Sequence, residues 1–589
     1  MERTTIDHLR PEYWEAETRR LLAKAIGEFS HERLLHPELS GDTYVVVGRR
    51  YRWTFQARRL PLDHWIVDGA SLECRDREDG DECELSAAEF IVDLREALGL
   101  NDVVLPVYLE ELASTLNRAV WQRAHGQPSA SELAEGDFQT IEAAMTAGHP
   151  CFVAGSGRLG MSIDDYAAYA PETAASVRLE WVALRRDESL FVSTEGDTTT
   201  MAKEVTGPDW DWICERLDGL HLTVDDVHLI PVHPWQWRNK IAIAFAAEIA
   251  TGRIVHLGQG SCSYQAQQSI RTFFNRTDPS QPYVKTAMSV LNMGFMRGLS
   301  TDYMELTPRI NRFVADIVHT DPTLQESGVR VLREHSAGGY WHPIYTACAP
   351  KGSPYRKFLA ALWRESPIPY LDDDEQPATM ASLLHLDEQG RPLVSELVRR
   401  SGISARQWLR EYTEAYLTPL VHCLYKYGLA FMPHGENVIL VLRNGRVRRV
   451  FLKDIGEEIT FLNGITTVPE DLERVTEQVS DAEFPLSILT DVVDCFLRFL
   501  AGIMDDDGIL PWSAFWEVVA DVLERYQRRH PELNNRFARW DLRADTFRLS
   551  CLNRLQLRDN TSLVDLENQS DSLVYAGDLD NPLAAEHSE

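Results

Sequence analysis

Asn437 and Asp454 flank a segment that reads as a β-hairpin, with Val438-Ile-Leu-Val-Leu, then Arg443-Asn-Gly-Arg446, then Val447-Arg-Arg-Val-Phe-Leu-Lys453. Asn444-Gly445 between two β-rich runs signals a two-residue type I′ turn. Such a turn pairs Arg443 with Arg446, and counting back sets Asn437 opposite Leu452. Asp454 then lies two residues further along the same face, a diagonal neighbour of Asn437. An amide oxygen and a carboxylate so placed, preceded by Pro433-His434-Gly435-Glu436, suit a Mg²⁺ that carries nucleotide phosphates, because Mg²⁺ takes one or two protein oxygens and leaves the rest to water and phosphate. Kinase-like folds hold metal with an Asn and an Asp on successive strands in this way. The plain alternative is a polar hairpin base with a surface Asp. Glu457 and Glu458 follow, and some of this charge reads as solvated loop.

A nucleotide also needs cations. Gln267-Gln-Ser269-Ile-Arg271-Thr272 leads into a β-like Phe273-Phe274, and Tyr283-Val-Lys285-Thr-Ala-Met-Ser289 reads as a strand with Tyr283, Lys285, Ala287 and Ser289 on one face. Lys285 is expensive to bury there without an anion. Arg297 follows. Each cation alone is more commonly a surface charge or half of a structural ion pair. Together, in an acidic chain, they favour a phosphate clamp in which Arg supplies a planar fork and Lys a point charge. Gly155-Ser-Gly-Arg158-Leu-Gly160 lacks Walker spacing and reads as a turn. His233-Pro-Trp-Gln-Trp237 is rigid and aromatic: a wall for a pocket, with His233 more often a packing residue than a base. No nucleophile elbow, His-Glu-x-x-His helix or dinucleotide-binding Gly-x-Gly-x-x-Gly occurs in its required context, which leaves hydrolase, zinc-protease and dehydrogenase readings without support.

These groups must be positioned by a chain of 589 residues, enough for two to four lobes. The texture predicts an α+β protein in three parts. Residues 1–170 combine an amphipathic helix over Pro11 to Phe29, its stripe including Tyr13, Trp14, Leu21, Leu22 and Ile26, with strands over Thr43 to Asp68. Residues 171–392 mix strand and helix, with a strand over Arg178 to Leu184. Residues 393–589 open with a helix over Ser404 to Tyr427, in which Trp408, Tyr412, Tyr416 and Leu420 form a core stripe. With 90 acidic against 59 basic residues the net charge is −31, a field that repels nucleic acid and anionic lipid. Nine scattered cysteines without a Cys-x-x-Cys pair suit a reducing cytosol. The start lacks a secretory pattern, and the most apolar stretch, Ile241 to Ala250, is about half the length that spans a bilayer.

Taken in order, Gly148-His149-Pro150, His233-Pro-Trp-Gln236, Ser269-Ile-Arg271-Thr272, Lys285 with Arg297, His434-Gly-Glu-Asn437 and Lys453-Asp454 resemble the siderophore synthetases that work without a nonribosomal peptide synthetase, the aerobactin-synthetase superfamily, over nearly the whole chain. The resemblance implies a thumb, fingers and palm architecture, the palm carrying the kinase-like hairpin. It also implies a homodimer, ATP with Mg²⁺, and condensation of a carboxylate with an amine through an acyl-adenylate. On these positions Ser269, Arg271, Thr272 and Lys285 would hold the triphosphate, and Arg297 the α-phosphate and developing charge. His434 would contact nucleotide or phosphate, Asn437 and Asp454 would hold the metal, and His149, Arg158 and His233 would contact the substrate. Many members continue Gly-His-Pro with a second His-Pro and then Lys-x-Arg-x-Gly. Here Phe152-Val153 and Ser156 replace the His-Pro and the Lys, which points to a substrate with one carboxylate rather than citrate. Stretches such as Met432-Pro-His-Gly-Glu-Asn-Val and Ser550-Cys-Leu-Asn-Arg-Leu-Gln look most like the desferrioxamine synthetase branch, which joins N-hydroxy-N-succinyl-cadaverine units and can close the ring. The competing readings are a kinase-like phosphotransferase, against which the missing His-x-Asp base before Asn437 weighs, and a non-catalytic hydroxamate-binding protein.

Overall fold

A six-stranded antiparallel sheet carries the cationic half of the expected site. Its strands run in the order Tyr264–Ala266, Thr272–Asn275, Tyr283–Thr286, Ala360–Arg364, Glu334–Tyr340 and Ser189–Ser193. The structure, a computed structural model, describes residues 6–146, 148–196, 198–559 and 573–584. A three-stranded sheet, in which Glu180–Arg185 lies between Ile254–Gln259 and Val227–Val232, shares one apolar core with the larger sheet through Trp181, Ile230, Phe273 and Trp363. The strand expected over Arg178 to Leu184 is therefore present, shifted by about two residues.

Towards the N-terminus, helices Pro11–His31 and Val104–His125 and the strands Thr43–Val47, Tyr51–Phe55 and Glu73–Asp76 bury Leu22, Ile26, Phe29, Trp53, Phe55 and Tyr108 together. Trp14, counted in the helix's apolar stripe, is 39% exposed. Among the described residues no helix is long and apolar enough to cross a membrane.

The third core gathers around helix Ala405–His422, which Ser404 caps by accepting the Gln407 N–H. It passes into a π-helical turn over Cys423–Tyr427 that ends at Gly428. Trp408, Tyr412 and Tyr416 are fully buried and stack in series with centroids 5.7 and 5.6 Å apart, each contact adding about 1 kcal/mol beyond burial. The same rings fix both ends of the hairpin. Trp408 Nε1 donates to the Gly445 carbonyl at 2.8 Å, and the Tyr416 hydroxyl donates to the Pro433 carbonyl at 2.6 Å. Gly445 has φ 75°, and a Cβ there would lie 2.5 Å from the Leu397 carbonyl oxygen, so conformation and space both demand glycine.

The hairpin itself departs from the counted register. Arg443 faces Arg446 as expected, but Val441 pairs with Arg449 and Leu442 with Val447, leaving Arg448 unopposed in a β-bulge. Val447 and Val450 are both buried although three residues apart. A strand of period two cannot turn both inward without one extra residue. Leu452 is therefore opposite Val438, not Asn437, and the Asn437 carbonyl instead accepts the Lys453 N–H at 3.1 Å. The sheet is completed by Arg330–Val331 and Gln376–Thr379. Both come from the segment expected to belong to the middle part, because Val331 and Ala378 bury against the hairpin's core.

Candidate active site

Lys285 and Arg364 leave neighbouring strands of the six-stranded sheet, Lys285 pairing across to Thr272 and to Leu362, and Arg364 to Tyr283. Both are buried, at 5% and 2% exposure. They meet the loop that follows the hairpin. Asp454, at φ 61°, leaves the strand direction and turns its carboxylate into the sheet. Lys285 Nζ donates to Asp454 Oδ1 at 2.7 Å and to Glu457 Oε2 at 3.4 Å, and Arg364 Nη1 donates to Asp454 Oδ2 at 3.0 Å. Burial alone would raise the Asp454 carboxyl, but Lys285, Arg364 and Lys453 outweigh it and hold the group well below the usual carboxylate range. Burial likewise opposes the Lys285 charge, and Asp454 and Glu457 overcome it, so the ammonium is held above its usual pKa. Asp454 is thus no surface residue. Below this pair Glu334, 1% exposed, accepts the Gly456 N–H at 2.8 Å and fixes the loop.

The Ser269–Thr272 turn lies beside Lys285, since Thr272 pairs with Lys285 and the Thr286 N–H donates to the Arg271 carbonyl at 2.9 Å. Ile270 has φ 61°, and the Gln267 N–H reaches the Thr272 carbonyl at 2.8 Å, which closes the turn tightly. Arg271 donates through Nη1 to the Gly298 carbonyl, binding the turn to the Arg297 segment. Ser269 Oγ, Arg271 Nε and Arg364 Nε are buried without a hydrogen-bond partner among the described residues. Buried donors are normally satisfied, and three unsatisfied ones beside Lys285 fit oxyanions such as phosphates.

Arg297 lies within electrostatic reach of Arg271 and of the acidic Glu436, Glu458 and Glu111. Burial, then Arg271, lowers its pKa to about 10, so it stays protonated at neutral pH. His149 and His434 lie with ring centroids 6.1 Å apart. Burial, then His434, Lys24 and Arg297, push His149 well below the usual histidine range, which makes it a neutral donor or acceptor. His434 Nε2 is 3.8 Å from Glu458 Oε2. Asn437 Nδ2 donates to that same carboxylate and to the Met432 carbonyl. Burial first, then Asp454, raises Glu458. Two carboxyls that disfavour each other's charge beside an amide oxygen fit a cation. Among the described residues no group of three or more His, Cys, Asp or Glu is placed to hold a metal. The Asn437 amide and the Asp454 carboxylate could supply one or two oxygens to a hydrated Mg²⁺.

Two expected substrate contacts, His233 and Arg158, are both buried. His233 is fully buried. Its Nδ1 accepts the Trp235 N–H at 2.9 Å, its ring packs on Tyr169 and Phe273, and burial lowers its pKa to about 3. The ring is therefore packed among aromatics, with its Nε2 buried and without a hydrogen-bond partner among the described residues. Trp237 stacks on His256, and Gln236 pins Ser289 instead. Arg158 closes on Glu172 through two hydrogen bonds of 2.7 and 2.9 Å, and Arg118 shares the same carboxylate at 3.1 Å. Burial would raise the Glu172 carboxyl, but Arg158 and Arg118 lower it to about 2. This depressed folded pKa contributes stability above the ordinary value of 4.5, and that stability is lost as pH falls towards 2. Glu172→Gln should therefore lower stability by about 4 kcal/mol at pH 7, since it strands two buried guanidiniums. Urea unfolding would measure it, and the deficit should shrink between pH 4.5 and 2.

Arg364 and Glu334 are missed by the sequence reading, in which Lys453 enters only as part of the Lys453-Asp454 motif. An Arg ending the apolar run Ala360-Ala-Leu-Trp is the one signal available for Arg364. Asp491 was also missed. It lies on the π-helical segment Leu489–Leu497 near Glu458, and burial, then Glu458, push its carboxyl up to about 7.

The family described as "IucA / IucC family" matches residues 137–385, and one described as "Ferric iron reductase FhuF-like transporter" matches residues 406–565. Putrebactin synthase of Shewanella sp. (strain MR-4) is 43% identical over 98% of this chain and 92% of its own length. Aerobactin synthase of Escherichia coli is 31% identical over 97% of this chain and 98% of its own. The structure of aerobactin synthetase IucC from Klebsiella pneumoniae superposes with a TM-score of 0.85 at 28% identity, covering 98% of this chain and 99% of that one.

Proposed function

The chain belongs to the IucA / IucC family of siderophore synthetases, and on that premise we propose that it is an ATP-dependent ligase that activates a carboxylate as an acyl-adenylate and passes the acyl group to an amine. The observation that carries the reading is that Lys285 and Arg364 lie on adjoining strands of one sheet, with the unpartnered Ser269 Oγ and Arg271 Nε in the turn that leads into it and Arg297 in the segment that Arg271 binds. Ser269, Arg271, Thr272 and Lys285 hold the triphosphate. Asn437 and Asp454 hold Mg²⁺, which when bound neutralises phosphate charge. Asp454, which pairs with Lys285 in this structure, would be the carboxylate that holds the metal, and Lys285 would supply a point charge to the phosphates. Arg297 meets the charge that builds on the α-phosphate, with His149 and His434 beside it. Fixed donors of this kind are usually the largest catalytic contribution, and no protein nucleophile is required. The three parts of the chain act as thumb, fingers and palm, and the enzyme works as a cytosolic homodimer.

The substrate is an N-hydroxy-N-succinyl-diamine, cadaverine or a close homologue, joined head to tail and closed into a ring. The closure of Arg158 on Glu172 supports this reading beyond the missing His-Pro and Lys. A tricarboxylate carries about three charges at neutral pH, and burying them where the nearest Arg is already neutralised costs several kcal/mol. Phe152, whose ring lies 5.0 Å from that of His149, suits a methylene chain instead. Citrate should therefore not stimulate pyrophosphate release. Release faster with citrate than with the succinyl hydroxamate would overturn the substrate assignment while leaving the ATP site standing. Phosphorus NMR of the spent nucleotide separates the reaction classes: AMP and pyrophosphate support the ligase, whereas ADP with a phosphorylated acceptor would make the protein a phosphotransferase.

A further inference from the structure

Arg297 owes its direction to one side chain. It follows the short hairpin of Leu291–Asn292 and Phe295–Met296, and its Nε and Nη2 both donate to Asn292 Oδ1, at 3.1 and 2.7 Å. Asn292 is 5% exposed, and its Nδ2 donates to the Gly157 carbonyl at 2.6 Å. The amide is thus held at both ends. Gly157 leaves no room for a side chain, because a Cβ there would lie 2.3 Å from Glu111 Cγ. Leu159 and Leu291 exchange backbone hydrogen bonds of 2.9 and 3.2 Å, and the Met293 N–H donates to Glu111 Oε1 at 2.5 Å. The glycine-rich Gly155–Gly160 loop, which reads as a turn in the sequence, is in this structure the anchor of a side-chain relay.

Resting on the ligase reading, we infer that Asn292 is the positioning residue for Arg297: it fixes the plane of the guanidinium from the Gly157 carbonyl while leaving its charge and Nη1 for the nucleotide. The neutral amide is the chemically telling choice. A carboxylate at 292 would grip the same nitrogens more strongly but would neutralise the cation the reaction uses. An amide oxygen orients without competing. Arg297 Nη1 makes no hydrogen bond among the described residues.

A double-mutant cycle on the full-length protein tests this, with ATP affinity by calorimetry and carboxylate-dependent pyrophosphate release as separate readouts. Arg297→Lys keeps a cation but has no fork to aim. In the native background Asn292→Ala should weaken ATP binding at least fivefold and slow pyrophosphate release at least tenfold. In the Arg297→Lys background the same change should alter either quantity less than twofold. Equal losses in both backgrounds would mean that Asn292 only supports the fold, and no loss in the native background would mean that it aims nothing; either overturns the inference. If Asn292→Ala melts well below the native protein, Asn292→Ser is read in the same cycle. Because the calorimetric cycle needs no turnover, absence of pyrophosphate release from the native enzyme would defeat the ligase reading while the binding data still decide for or against Asn292.

Discussion

Asp454→Asn is expected to reduce turnover about a thousandfold and to lower stability as well. By its sequence alone Asp454 reads as a carboxylate at a hairpin's end, on the plain alternative a surface residue. In the structure the carboxylate neutralises Lys285 and Arg364, whose side chains are 6% and 2% exposed. An amide of the same shape leaves two buried cations facing each other, at a cost of about 3–5 kcal/mol. On the proposed reading the catalytic loss would have a different origin, the removal of a negative ligand from the metal that would shield the phosphates. The two effects separate experimentally. Denaturant unfolding without nucleotide reads the first, and steady-state pyrophosphate release at saturating Mg²⁺ reads the second. Normal turnover at saturating Mg²⁺ would remove Asp454 from the site, whatever the stability.

Arg297→Gln should slow adenylation at least a hundredfold, because glutamine keeps hydrogen-bonding capacity but meets the charge on the α-phosphate with none of its own. Asn292 and Arg271 fix the surrounding geometry, so the fold should tolerate the exchange, and the melting temperature should fall by no more than a few degrees. Substrate-dependent pyrophosphate release isolates the first half-reaction, and amide formation from supplied adenylate isolates the second. An unchanged first step with a slowed second would assign Arg297 to acyl transfer instead.

Much of the site could be read in the chain because its residues conflict with their local surroundings. Lys285 in a buried strand and Asn437 and Asp454 at a hairpin base are costly choices unless something binds there. The turn at Asn444-Gly445 was equally plain, since both residues take positive φ, 53° and 75°. Register was not, because the bulge at Arg448 depends on Val447 and Val450 facing the same core, and only the tertiary packing decides that. Arg158 and His233 show the opposite limit. Each belongs to a motif of the resemblance, yet Glu172 neutralises one and the aromatic core encloses the other. Nothing in the local sequence pairs Arg158 with a carboxylate fourteen residues away. Glu457 and Glu458, read in part as solvated, are drawn inward by Lys285 and Asn437 from distant segments.

The most direct test of the ligase reading is mass spectrometry of the products formed from ATP and a panel of N-hydroxy-N-succinyl-diamines of different chain length, with AMP counted in the same reaction. The result expected is an amide-linked oligomer or ring, one AMP per amide formed, and no product when ATP or the free amine is withheld. AMP-independent binding of the hydroxamate, or a phosphorylated hydroxamate with no amide, would contradict it.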